Sequence, residues 1–224
     1  MFKKNKLFII AAIFSSIMFV FSGCSSSSGT NTDNKSQSKP KVVVSFNDMR
    51  EFASAIGKDK IDITTIIPNG TEPHDFEPTA KDLKTLSSAN VFIYSGLGME
   101  SWKDKVINSA NNKNLIAVDA SKDITPIKNT DADEIKEHGQ YDPHAWISLK
   151  NAEIQSKNIK DALVKADPSN KDFYEKNYKS FSKQLEDLYS EYKTKFSTVK
   201  NKNFVTGHAA FAYLCRDIDR KSTR

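Results

Sequence analysis

Short apolar runs rich in β-branched residues recur along the chain after residue 40, and amphipathic segments separate them. Such runs, bounded by turn residues, are typical of buried strands, and apolar positions at three- and four-residue steps predict helices. The predicted strands are 41–46, 61–67, 91–95 and 115–119, and the helices between them are 47–56, 79–89 and 100–110. Strands that alternate with helices indicate an α/β fold around a parallel sheet.

One longer segment, from Pro168 to about Thr198, contains no further proline and no glycine. Asp167 can cap a helix here, and proline suits its first turn. A helix of some 30 residues would span roughly 45 Å. A coiled coil is the alternative, but the stripe on one face is aromatic and lacks clean heptads, which favours a helix packed along a globular body. That stripe comprises Phe173, Asn177, Phe181, Leu185, Leu188, Tyr192 and Phe196.

The first 40 residues predict export rather than a folded element. Three lysines precede the apolar run 7–21, which ends in Ser22, Gly23 and Cys24. The run is too short for a membrane-spanning helix and matches a secretory signal peptide. Small residues before a cysteine resemble the lipobox of bacterial lipoproteins, although Phe21 stands where leucine is usual; an ordinary signal peptide with a chance cysteine is the alternative. Residues 1–23 are thus predicted as signal peptide and 24–40 as a flexible tether lipid-anchored at Cys24.

Charge excludes one class of partner. The net charge is +5, but acidic residues are interleaved with the lysines nearly everywhere. No basic stripe stands out, so a mixed-charge solvated surface is favoured over a nucleic-acid groove. We therefore expect no nucleic acid among the partners.

Three of the four histidines share one setting. His74 follows the second predicted strand, His144 precedes a helix, and His208 lies between a predicted strand at 203–206 and a helix from about residue 209. Loop–helix junctions at the mouths of parallel sheets are where ligand sites form. A lone histidine is more often structural, but three neutral imidazoles would supply most of a tetrahedral zinc shell.

Several motifs together resemble a known family, the cluster A-I solute-binding proteins of bacterial zinc and manganese ABC importers. The motifs on which the resemblance rests are the lipobox, PNGTEPHDFEPTAKDL, YSGLGMESW, YDPHAWIS and TGHAAFAYL. The resemblance implies two parallel-sheet α/β lobes joined by a long rigid helix, with a metal between the lobes. It implies His74, His144 and His208 as ligands, and a histidine at the third position favours zinc over manganese. It also implies an extracytoplasmic, lipid-anchored monomer that serves an ABC importer permease and its ATPase, and is not an enzyme.

Two departures from the family pattern affect the expected site. The family's fourth ligand is a carboxylate well beyond His208, so the resemblance suggests a chain truncated in its second lobe, with one strand and one helix there. Glu72, Asp142 and Glu77 lie near the ligands in sequence, although turn capping is the simpler role for each. Residues 124–140 read as a mobile polar loop, which many zinc-type members replace with a histidine-rich insertion. Two interpretations of this loop stay open: a solvated loop without a role in binding, and a loop that weakly gathers metal ions. The candidate residues for the second are His138, Asp131, Asp133, Glu134 and Glu137.

The expected layout follows from these elements. An N-terminal α/β lobe occupies 41–150, helices including the interlobe helix occupy 151–200, and the second lobe begins at 201–224. Two other functions stay open at this point. A zinc hydrolase would use three histidines with an open fourth position, but the sequence lacks a compact signature such as H-E-x-x-H. A surface adhesion module would keep the histidines as structural residues.

Overall fold

A computed structural model describes residues 38–223 of the chain. The predicted signal peptide, Cys24 and nearly all of the predicted tether lie outside the described residues. No helix within the described range is long and apolar enough to cross a membrane.

A four-stranded parallel sheet forms the larger layer of the molecule. Its strands are β1 (Lys41–Val44), β2 (Asp62–Thr65), β3 (Val91–Tyr94) and β4 (Ile116–Asp119), in the order β2-β1-β3-β4. Val42 pairs with Ile63 on one side and Val91 on the other. β1 and β3 are almost wholly buried because helices cover both faces of the sheet, as continuous apolar runs require.

Among the described residues, six α-helices accompany this sheet. They are α1 (Asn47–Gly57), α2 (Ala80–Ser87), α3 (Lys103–Ala110), α4 (Ala132–His138), α5 (Leu149–Ala166) and α6 (Lys171–Ser197). The apolar face of α5, which includes the fully buried Ile159 and Leu163, joins the same core as the sheet. The fold class and most element positions agree with the sequence prediction.

The long helix is confirmed, but its buried face differs from the prediction. Tyr174, Asn177 and Leu185 are its buried residues, while Leu188 and Tyr192 stay exposed. Tyr174 is completely buried, and its hydroxyl donates to the carboxylate of Asp167 at 2.8 Å. The first half of α6 packs on the larger lobe, and its second half reaches the smaller one.

The smaller lobe, as far as the structure describes it, contains β5 (Asn203–Val205), α7 (Ala212–Asp217) and β6 (Lys221–Thr223). β5 and β6 pair in parallel, with Phe204 opposite Ser222. The sequence prediction of one strand here was wrong, because the short polar β6 carries no apolar pattern. The backbone carbonyl of Asp217 accepts a hydrogen bond from the hydroxyl of Tyr189 on α6.

The prediction of a mobile loop at 124–140 was also wrong in part. Asp131 accepts hydrogen bonds from the backbone N–H groups of Asp133 and Glu134, and so caps the helix α4. The chain leaves α4 through Gly139, whose φ of +86° suits glycine. His138 is therefore held at the end of a capped helix.

Candidate metal centre

The site lies beyond the carboxyl ends of the parallel strands, where the sheet order reverses between β1 and β3. Phe46 follows β1, and its ring lies 4.9 Å from the ring of Trp146, centroid to centroid. Trp146 belongs to a 3-10 turn, Ala145–Ile147, that His144 immediately precedes. Packing between the β1 end and this turn thus places His144 at the crevice where ligands of open α/β sheets bind.

Three imidazoles converge at this point from separate parts of the chain. Nε2 of His144 lies 3.3 Å from Nε2 of His74 and 2.9 Å from Nε2 of His208. For Zn–N bonds of about 2.0–2.1 Å, a tetrahedron has nitrogen–nitrogen edges of about 3.3–3.4 Å. The two separations therefore lie at or slightly below the spacing that a tetrahedral ion imposes.

His144 is the most firmly oriented of the three. Its Nδ1 lies 2.8 Å from Oδ1 of Asp142, and its backbone N–H donates to the same oxygen at 2.9 Å. Both side chains are nearly inaccessible. Because Nδ1 is engaged with the carboxylate, Nε2 is left with its lone pair towards the other two rings.

His74 is prepared for metal by its surroundings. Burial, the largest cause, and the neighbouring His138 and His144 together lower its pKa from the ordinary 6.5 to about 4. The ring is therefore neutral at physiological pH, which is the form that binds a cation. The carboxylate of Glu72 accepts a hydrogen bond from the backbone N–H of His74 at 3.3 Å, and so shapes this turn. The same side chain also lies near the His74 ring.

Tyr213 links the smaller lobe to the loop that carries the site. It is completely buried on α7; its hydroxyl donates to the backbone carbonyl of Asp142 at 2.8 Å and accepts from the backbone N–H of Ile127 at 3.1 Å. Sequence reasoning missed this residue, although it lies five positions after His208 in TGHAAFAYL. A buried tyrosine usually finds a hydrogen-bond partner, and this was the available signal.

The accessory residues of 124–140 divide into different roles. His138 joins the three other histidines, with its ring centroid 4.2 Å from that of His74. Glu134 lies one turn earlier, with Oε2 at 3.5 Å from Nε2 of His138. Asp131 caps α4 and Asp133 is exposed. Glu137 lies within α4.

A cavity of about 850 Å³ opens between the α4 segment and the smaller lobe. Asp131, Asp133 and Glu134 line one side, and Asp142, Thr206 and Ala209 are among its other lining residues. Four carboxylates against one lysine, Lys128, give this lining a net negative charge that favours cations.

The comparisons with known proteins agree with this geometry. The family model of the periplasmic zinc-uptake complex component A, ZnuA, matches residues 42–223. The chain belongs to the ZnuA family. This confirms the predicted family of zinc and manganese ABC importer solute-binding proteins, and with it the two-lobed α/β class.

Over the aligned residues, individual relatives are about a third identical to this chain or more. It is 40% identical over 221 residues to a putative metal-binding protein of Treponema pallidum (strain Nichols), covering 94% of this chain and 68% of that protein. It is 37% identical over 230 residues to the high-affinity zinc uptake system protein ZnuA of Bacillus subtilis (strain 168), covering 99% and 70%. Zn(II)-bound AdcA from Streptococcus pneumoniae matches with a TM-score of 0.75 and 31% identity, over 83% of this chain and 39% of that one. The chain thus spans roughly two thirds of these curated relatives and 39% of AdcA.

Proposed function

We propose that this protein captures a divalent transition metal, zinc before manganese, through His74, His144 and His208, and delivers it to an ABC importer. The observation that carries the proposal is that Nε2 of His144 lies 3.3 Å from Nε2 of His74 and 2.9 Å from Nε2 of His208. Imidazoles brought to this spacing from three distant segments fit a zinc ion. Manganese prefers more oxygen ligands, which these three side chains do not provide.

The relatives support zinc as the cargo and uptake as the process. The Bacillus subtilis protein is a zinc uptake component, and the AdcA structure holds Zn(II). We extend these properties to this chain: it works outside the cytoplasm as a monomer, tethered to the membrane through a lipid at Cys24. Its partners are the importer's permease and ATPase, and the tether raises the protein's concentration near the permease.

Capture requires binding and orientation by this chain's own residues and no covalent step. Asp142 holds His144 in one tautomer, and Tyr213 holds the backbone carbonyl of Asp142. His208 comes from the smaller lobe, whereas His74 comes from the larger one. A metal ligated by both would join the lobes, and release to the permease would require their separation.

The two alternative functions fit these contacts less well. A zinc hydrolase needs a general base, but the two carboxylates closest to the rings, Asp142 and Glu134, approach imidazoles and would orient them. An adhesion module with structural histidines predicts no response to metal. We therefore propose that the protein is a carrier and has no catalytic activity.

A zinc titration that follows thermal unfolding tests the proposal. At a free zinc concentration of about 100 times Kd, binding to the folded state alone should raise Tm by roughly 5–11 °C. Replacing His74, His144 or His208 with alanine should remove most of that rise. Asp75→Asn is a matched control, because Asp75 is exposed beside His74. A wild-type protein that is folded and shows no rise with zinc would refute metal capture.

A further inference from the structure

The chain turns sharply after β3 through three consecutive residues in the left-handed region. Their φ angles are +87° at Gly96, +57° at Leu97 and +95° at Gly98. Glycine adopts such angles readily, whereas leucine seldom does. A residue held in this way persists only where surrounding contacts impose it, and such residues cluster at functional sites. The contacts of the 95–98 turn therefore indicate what holds Leu97 in place and what its position serves.

A buried carboxylate holds the turn. Glu100 is only 1% exposed; its Oε1 accepts the backbone N–H of Ser95 at 2.8 Å, and its Oε2 accepts that of Gly96 at 3.0 Å. Burial raises the pKa of this carboxyl group, and the two N–H donors oppose that rise because they stabilise the ionised form. Each carboxylate oxygen thus fixes one peptide group of the turn.

The side chain of Leu97 packs into a small second core that adjoins the site. The buried members of this core are Ile124, Ala145 and Tyr213. Ala145 directly follows His144, and the hydroxyl of Tyr213 donates to the backbone carbonyl of Asp142. Leu97 therefore supports the 142–145 segment from the larger lobe, whereas Tyr213 supports it from the smaller one.

We propose that Glu100 is a positioning residue for metal binding, because it holds the strained turn that keeps Leu97 packed beside the segment carrying His144. The inference rests on the proposed function and deepens it. Without both hydrogen bonds the turn can relax out of the left-handed region, and Leu97 then leaves the second core. The 142–145 segment loses one of its two supports, so zinc must reorder it on binding. Affinity therefore falls although every proposed ligand is still present.

Glu100→Gln tests this role by zinc competition against a chromophoric chelator. Glutamine keeps the size of the side chain, but its NH₂ group replaces one acceptor oxygen, so one backbone N–H of the turn loses its partner. We expect a loss of affinity of about 10-fold, the lower end of the usual cost of removing a residue that supports a ligand. A purely structural Glu100 would lower Tm and leave the affinity of the folded protein unchanged, and that result would overturn the proposal.

Ile56→Val is the control for lost stability. Ile56 is fully buried near the end of α1, and this end of the helix lies at the amino ends of the strands, away from the site. Removing one buried methyl group should lower Tm by a few degrees. The variant should bind zinc as the wild type does. A loss of affinity equal to that of Glu100→Gln would show that reduced stability alone explains the effect, and would overturn the proposal.

A double-variant cycle tests the route through Leu97. Leu97→Ala removes the side chain from the second core and should also weaken zinc binding by about 10-fold. If both residues act on the same support, the double variant should again lose about 10-fold, rather than the roughly 100-fold product of two independent effects. Leu115→Ala is the matched control, because Leu115 is also half-buried but precedes β4 at the far end of the sheet. A double-variant loss near the product would contradict the proposed route.

Leu97→Ala also covers the case in which Glu100→Gln does not fold. Wild-type zinc affinity in a folded Leu97→Ala variant would overturn the proposal by itself. A folded wild-type protein that does not bind zinc would overturn both the proposed function and this inference. Equal affinities of the wild type and Glu100→Gln would overturn this inference alone.

Discussion

The carboxylate of Asp142 lies 2.8 Å from Nδ1 of His144, and this contact directs Nε2 of the same ring toward His74 and His208. The same oxygen accepts the backbone N–H of His144, so the ring and its backbone are held together. In the sequence this pair appears only as D-P-H within YDPHAWIS.

Replacing Asp142 with asparagine should weaken zinc binding by about 10–100-fold, the usual cost of losing a partner that orients a ligand. Asparagine keeps the size of the side chain but loses the negative charge that favours Nδ1–H. Chelator competition measures the change. Asp104→Asn, which alters an exposed ion pair with Lys103, should have no effect. Unchanged affinity in Asp142→Asn would show that His144 needs no carboxylate partner.

Tyr213→Phe should lower the free energy of unfolding by about 1–3 kcal/mol, because the backbone N–H of Ile127 and the carbonyl of Asp142 both lose a buried partner. Urea unfolding of the metal-free protein measures this loss. Tyr192→Phe is the control, since Tyr192 is 42% exposed on α6. Zinc affinity should also fall in Tyr213→Phe, because Asp142 is then less firmly placed. Stability and affinity both equal to those of the wild type would contradict the link between the lobes.

Acidification should destabilise the metal-free protein between pH 6.5 and about pH 4. The pKa of His74 is lowered by burial and by neighbouring histidines, to about 4 in the folded state. Across this window the unfolded chain binds a proton at this group that the folded chain does not, so stability rises with pH and falls as pH drops. Urea unfolding at pH 7, 6 and 5 should show a shallower pH dependence in His74→Gln. A pH dependence as steep as that of the wild type would mean that His74 is not held neutral by the fold.

The main sheet was predictable from local patterns alone. Val42–Val44 and Val91–Ile93 are buried on both faces, and continuous β-branched or apolar runs are what such strands require. The outer half of α6 was less predictable. Leu188 and Tyr192 continue the apolar stripe, yet both are exposed in the part of the chain that the structure describes. Periodicity could not predict this, because it shows which positions share a face and not what covers that face.

The helix α4 was missed because its composition is polar, although its boundary signals are present. Asp131 followed three residues later by Glu134 is a helix-start pattern, and Gly139 after His138 is a helix-stop pattern. Hydrophobic periodicity is weak there, since this short helix places His138 beside the other histidines and contributes little to the core. A sequence-based prediction that gave these capping signals more weight would have placed His138 at the end of a helix.

The site itself could be proposed from the sequence but not assembled from it. His74, His144 and His208 were selected because each lies at a loop–helix junction and in a motif of the resembled family. Their separations of 70 and 64 residues give no local evidence of contact, and only the packed structure brings their Nε2 atoms together. The same holds for Tyr213, whose two backbone partners lie 71 and 86 residues away along the chain.

The most direct measurement is the zinc content of the purified protein after equilibrium dialysis against buffered zinc, compared with that of His144→Ala. We expect one zinc per wild-type chain and a near-complete loss in the variant, since His144 lies at the centre of the convergent Nε2 atoms. A folded wild-type protein that retains no zinc, or a variant that retains as much as the wild type, would contradict metal capture at this site.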